Sequence, residues 1–252
     1  MSDTEAGADV FTISEDLVCS PAHKQASTGE VDFDGLLEDR PLKLHQDLAK
    51  GNGGQAWPAG HVLARYLLRK KREELKKCSM FLLDYSVELG AGGGLVGLAI
   101  ALGCAPEHSV HVTDQQPMLQ LMQDNIALNG LTGRAQASVY NWGDACPEGI
   151  PAHPDIVLAA DCVYFEPAFP LLQKTLEDLI GPHTVCYFCF KKRRRADTQF
   201  MKAAKKVFAI EQVDDDPDQE TYARENITLC TIRLKTDRRG LGPLALGMLR
   251  SD

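Results

Sequence analysis

From Phe81 onward the chain alternates short apolar, β-branched runs with longer segments of helical period, and few folds accommodate that alternation. Residues 81–89, 110–113, 135–140, 156–160 and 184–190 read as strands. Residues 94–102, 117–129, 169–180 and 196–207 read as helices between or after them. Two further strands, 209–213 and 227–234, flank the acidic insert "DDDPDQETYAREN" with no helix expected between them, so they must pair antiparallel or sit apart. The pattern predicts an α/β fold, a doubly wound, mostly parallel seven-stranded sheet with helices on both faces. Ahead of it, 58–77 reads as a helix with Val62, Leu63, Tyr66 and Leu67 on one face, and "GNGGQ", 51–55, as a loop.

Composition divides the chain further. The net charge is −8, and residues 1–40 hold ten acids against two bases, so the remainder is balanced. The acidity therefore belongs to an N-terminal extension. Residues 1–46 are expected to form an acidic arm, disordered in part, with 31–47 able to hold short strands or to pack extended on the body. Residues 47–235 form the domain and 236–252 a tail. A body without basic bias does not suit a protein that lives on nucleic acid. No run of eighteen apolar residues marks a membrane span, and the start lacks an apolar signal core. A cytoplasmic monomer away from membranes is the expected form. The eight cysteines lie mostly in apolar runs, which suits buried thiols. Cys186 and Cys189 are three apart in a strand, so they point to opposite faces and make a poor metal site.

The first strand-to-helix turn is "ELGAGGGLVG", with glycine at 90, 92, 93, 94 and 97. In a doubly wound sheet ligands sit beyond the carboxyl ends of the strands, and glycine lets the turn bend sharply and brings ligand atoms against bare backbone. Asp114 ends the second strand 24 residues after Gly90, where a carboxylate can accept two ribose hydroxyls; the competing reading is a helix cap. Glu88 precedes the glycines. A negative charge there would oppose a pyrophosphate but favour a ligand bearing ammonium or sulfonium groups. S-adenosylmethionine has both, an adenosine and no phosphate. The alternative for Glu88 is a structural hydrogen-bond network.

"VELGAGGGLVGLAIA", "VTDQ", "NWGD" and "VLAADCVY", in this order and spacing, resemble the class I, seven-β-strand methyltransferases, specifically the methyltransferase-like lysine methyltransferases of family 16. "QAWPAG" and "YFCFKKRRRAD" extend the resemblance over roughly residues 50 to 235, and the wording is most similar to fungal enzymes that methylate a lysine of elongation factor 1A. The resemblance implies an S-adenosyl-L-methionine donor and a protein substrate. It places Gly90, Ala91 and Gly92 against the methionine part, with Glu88 nearby, and Asp114 on the ribose. Trp142 would pack on adenine, Trp57 would close over the donor, and Ala160 would contribute backbone. Asp161 and Tyr164, the ends of a D-x-x-Y motif, would serve the acceptor amine as the catalytic pair. Position 93 departs from the family in being glycine where a hydroxyl residue is common.

Methyl transfer to an amine needs a neutral, aligned nucleophile, which is chiefly a matter of positioning. For Asp161 the competing role is to hold a loop by backbone hydrogen bonds. Cys162 and Val163 stand where enzymes acting on nucleobase amines commonly resemble one another in carrying prolines, which favours lysine. The basic run 191–195 is expected to be a solvated helix start paired with the acidic insert, a dock for an acidic protein or, less in keeping with the body's charge, a phosphate site. "RKKREELKK", 69–77, reads as an exposed helix end. Two other classes stay open: a methyltransferase acting on RNA or a small amine, and a non-catalytic binding protein.

Overall fold

The computed structural model describes residues 26–76 and 85–235. Chain order begins with β1 (Ser27–Val31) and β2 (Leu42–Gln46), an antiparallel pair, then α1 (Pro58–Tyr66), a π-helical turn (Leu67–Lys71) and α2 (Arg72–Lys76). The main alternation follows: β3 (Ser86–Leu89), α3 (Leu95–Gly103), β4 (Val110–Asp114), α4 (Leu119–Leu128), β5 (Ala135–Val139) and β6 (Ile156–Ala160). It closes with α5 (Phe169–Leu179), β7 (Val185–Lys191), α6 (Arg195–Val207), β8 (Phe208–Gln212), α7 (Gln219–Arg224) and β9 (Ile227–Leu234). The expected start of β3 at Phe81 lies outside the described residues, as do Cys19, Cys78 and the tail.

The seven-stranded sheet has the order β5-β4-β3-β6-β7-β9-β8. β3 to β7 run parallel, and β9 inserts antiparallel between β7 and β8. Period-two alternation sends each strand's side chains to two separate cores. Val87, Val157, Cys186 and Phe188 pack with Leu172, Leu176 and Phe200 of α5 and α6. Leu158, Tyr187 and Cys189 pack on the other face with Leu63, Leu98 and Met122 of α1, α3 and α4. The two cysteines of the C-x-x-C thus sit in different layers. α3 is apolar all round, and its residues from Leu95 to Ala101 are buried.

Residues 26–46 pack on the body, which shortens the arm expected over 1–46. Leu42 and Leu44 are fully buried, Phe33 and Leu37 nearly so, in the same core as α3 and α4. β2 finds its hydrogen bonds on a helix. Asn125 and Asn129, one turn apart on α4, present their amides to it as a neighbouring strand would. Asn129 Oδ1 accepts from Lys43 N at 2.8 Å, and its Nδ2 donates to Lys43 O at 2.6 Å. Asn125 Oδ1 accepts from His45 N at 2.7 Å, and its Nδ2 donates to His45 O at 3.0 Å and to Gly93 O at 2.9 Å. These buried amides are well satisfied, so their burial costs little.

Charge pairing differs from the expectation in two places. The acidic insert does not meet residues 191–195. It folds back on the α1 end through Asp216 and Asp218 with Arg69 at 3.0 and 2.9 Å, and Asp215 with Lys70 at 3.5 Å. Tyr66 Oη donates to Asp215 at 3.2 Å. The bases of 69–72 are therefore partnered, and Arg72 also reaches Glu38 at 3.3 Å. The insert itself holds α7, because Asp216 is buried and anchors the turn before it.

A chain beginning at Asp47 would lose β2 and expose the core that Leu42 and Leu44 cover. It should be less stable by about 5 kcal/mol or more, from the burial of large apolar side chains. Urea unfolding followed by circular dichroism measures this, and an unchanged midpoint would show that the segment is an appendage.

Candidate active site

All ten residues singled out from the sequence line one cavity of about 880 Å³ beyond the carboxyl ends of β3, β4 and β6. Its floor is the turn from β3 into α3. Gly90 and Gly92 take φ of +59° and +55°, which side-chain-bearing residues rarely adopt. Space forbids a side chain as well. A Cβ on Gly90 would stand 2.8 Å from the Trp142 ring, and one on Gly92 would stand 2.3 Å from the carbonyl of Gly53. The turn is thus closed by an indole on one side and by the loop at 51–56 on the other. Ala91 N, donating to Thr113 O at 3.0 Å, ties it to β4.

Asp114 fixes the turn further. Its Oδ2 accepts from Gly92 N at 2.7 Å and its Oδ1 from Gln115 N at 2.6 Å. Burial pushes its carboxyl up, and the two amides partly offset that. Each carboxylate oxygen has two acceptor positions, so one per oxygen remains. Two adjacent hydroxyl donors on a ligand would complete it.

Glu88 lies beneath α3. Its Oε2 accepts from Gly97 N at 2.8 Å, so the carboxyl caps the first turn of the helix from inside. Desolvation pushes its pKa to about 8, against the pull of the Gly97 and Val96 amides. It therefore carries a proton at neutral pH when no cation is near. The negative charge expected beside the glycines is masked in this state, and the structural network foreseen as the alternative is present.

The cavity mouth is built from three segments. Asp161 closes β6 with φ +54° and is almost fully buried. Its Oδ1 accepts from Lys191 N at 2.9 Å and from Arg193 Nη1 at 3.0 Å, while Oδ2 accepts from Arg193 Nη2 at 3.1 Å. This two-point pair holds the start of the basic run against the β6 end. One acceptor position is left, on Oδ2. The Arg193 guanidinium also lies 5.4 Å from the centre of the Trp57 ring, whose Nε1 donates to Asn52 O at 2.9 Å. Tyr164 stands at the rim, and burial together with the Asp114 charge pushes its hydroxyl up. Ala160, the last residue of β6, also lines the cavity.

Sequence reasoning missed Arg193 and Gly53. Arg193 was one base in a run of five, and only the fold shows it facing Asp161. Gly53 lay in a segment read simply as a loop. Cys162 was passed over as well. It packs behind Gly90 with Sγ donating to Leu89 O at 3.3 Å, and burial pushes its thiol well above the usual range, so it is inert.

A family model described as "Lysine methyltransferase" matches residues 36–207. The chain is 34% identical over 233 residues to the protein-lysine N-methyltransferase EFM6 of Saccharomyces cerevisiae, covering 85% of this chain and 94% of that one. It is 39% identical over 135 residues to the mouse EEF1A lysine methyltransferase 3, covering 52% and 56%. Among solved structures, the citrinin polyketide synthase CMeT domain shares the fold, with a TM-score of 0.51 at 10% identity over 69% of this chain and 52% of that one. The turn, the Asp114 acceptor and the matched residues lead to one conclusion: this chain belongs to the lysine methyltransferase family, with S-adenosylmethionine as its methyl donor.

Proposed function

We propose that the chain methylates a lysine ε-amine of translation elongation factor 1A in the cytoplasm. One observation carries the reading: a single cavity joins the Asp114 carboxylate, with its two spare acceptor positions, to the Asp161 carboxylate, with its one. The substrate is taken from the mouse relative's printed name.

When bound, the donor supplies an electrophilic methyl group on a sulfonium, open to in-line displacement by an amine. Asp114 takes the two ribose hydroxyls, and the half-buried Trp142 offers its indole to the adenine. Gly90, Ala91 and Gly92 present bare backbone to the methionine part. Glu88 is near enough to the floor for a cation to draw off its proton, so that its negative charge is present only when needed. Trp57 and Ala160 bound the channel through which the amine arrives. Asp161 Oδ2 accepts one N–H of that amine, and the Tyr164 hydroxyl offers a second polar contact. A free lysine side chain has a pKa of about 10.4 and arrives protonated. The Arg193 guanidinium, already on Asp161, disfavours a second cation there, and so favours the neutral amine that the displacement requires.

Labelled donor incubated with a nuclease-treated lysate from cells lacking the enzyme should label a protein band identified by mass spectrometry as elongation factor 1A. Label that disappears with the RNA would overturn the lysine reading; label on another protein would overturn only the substrate. Asp114→Asn turns one acceptor into a donor facing backbone amides. It should weaken adenosylhomocysteine binding at least tenfold by calorimetry, and unchanged affinity would remove Asp114 from the ribose.

Glu88 also gives a pH dependence. Its folded pKa, about 8, lies above the ordinary value of 4.5, so the folded chain binds the proton more tightly. The ligand-free protein therefore loses stability as pH rises from about 4.5 to 8, by an amount on the order of a few kcal/mol. Glu88→Gln should flatten this part of the urea-midpoint profile. An identical slope in the variant would show that the residue is already charged.

A further inference from the structure

The cavity opens between two lips of different chemistry. One lip is the loop before α5 and the start of that helix, where Tyr164, Phe165 and Leu171 are exposed by 47%, 55% and 48%. Five large apolar residues are exposed among the described residues, and these three surround one mouth. Scattered exposed apolar residues are ordinary, whereas a cluster at a mouth marks an interaction surface. The other lip is the start of the basic run, where Arg193 lines the cavity and Arg194 donates to the Tyr164 carbonyl. Its backbone is held in place, because Arg193 N and Arg194 N donate to the buried Asp197 carboxylate at 2.8 and 2.9 Å. Arg193 is committed to Asp161, and Arg194 to Asp197 and the carbonyl of Tyr164. Lys192 and Arg195 are exposed and make no ion pair among the described residues. The acidic insert, the obvious counter-charge, is occupied by α1 and the turn after it. Glu166 is an exposed acid on the apolar lip and does not pair with the basic one.

We infer that this mouth reads the residues flanking the target lysine, taking an acidic side chain on Lys192 and Arg195 and an apolar one on Tyr164, Phe165 and Leu171. The inference rests on the reading of the cavity as a lysine site. The positive charge is local, since the chain carries −8 overall and residues beyond 40 are balanced. A local patch beside a carboxylate-lined opening matches a short acidic segment, whereas a polyanion calls for an extended basic face. Rim charges act mainly on encounter and selection, each by a few-fold in affinity, and salt screens them.

The test is an oriented peptide library with one fixed lysine and random flanking positions, incubated with the full chain and labelled donor, beside a lysate lacking the enzyme. Methylated peptides enriched in Asp or Glu near the lysine, with an apolar residue on the other side, are the expected result. Lys192→Glu with Arg195→Glu should raise KM for the selected peptide about tenfold at low salt. It should leave kcat and adenosylhomocysteine affinity within twofold, and the enrichment should shift away from acids. Label without acidic enrichment, or enrichment unmoved by the double reversal, overturns the inference and leaves the lysine assignment standing. Label on lysate protein but on no peptide also overturns it, because the flanking segment would then not suffice. Label on neither overturns the lysine assignment itself, and with it this inference. A fluorescent oligoribonucleotide that binds the wild-type chain and not the double variant would assign the lip to nucleic acid instead.

Discussion

The turn between β3 and α3 admits no side chain at Gly90 or Gly92, and the top of the sheet is arranged around that exclusion. At Gly92 the nearest obstacle is another main chain, the carbonyl of Gly53, and at Gly90 it is the Trp142 ring. Backbone against backbone leaves no rotamer to relieve a clash, so the loop at 51–56, the indole and the turn share one geometry. Asp114 adds the electrostatic part. Its carboxylate sits on Gly92 N and so carries the end of β4 into the same unit. A ligand meeting Asp114 meets a group already fixed by the fold, which is where preorganisation acts.

The N-terminal segment belongs to this unit through one side chain. Asn125 donates to both His45 O and Gly93 O and accepts from His45 N, so a single buried amide joins β2, α4 and the glycine turn. Position 93 is also where the chain departs from the pattern of its family by lacking a hydroxyl. A Cβ there would meet the Asn125 amide nitrogen at 3.1 Å, tighter than ordinary contact. Glycine at 93 and asparagine at 125 thus fit one another.

The sheet was legible because its signal is local and repeated. Strand 156–160 falls where the alternation put it, and of the two arrangements open to the last two strands, antiparallel pairing is the one found. Helix α7 was not legible. Its segment is polar, Tyr222 is its lone buried residue, and the turn before it is held by Asp216 and Asp218 on Arg69, about 150 residues earlier. The glycines and Asp114 could be named because their types are unusual for their places, and the D-x-x-Y ends only through the family resemblance. Arg193 could not, because nothing in "KKRRR" separates the arginine on a carboxylate from those in water. Long-range pairing, which sequence leaves undetermined, also sent the acidic insert to α1 and left the basic run open.

The two buried acids nearest the cavity reach opposite solutions to one problem. A carboxylate removed from water must be protonated, paired or fully hydrogen-bonded. Asp161 is paired: Arg193 covers it from outside, with the Trp57 face behind the guanidinium. One acceptor position stays open, on Oδ2. Glu88 makes no ion pair among the described residues, and burial pushes its carboxyl toward the protonated form. A cation entering the cavity would favour its charged form, whereas an uncharged ligand would leave the carboxyl as burial sets it.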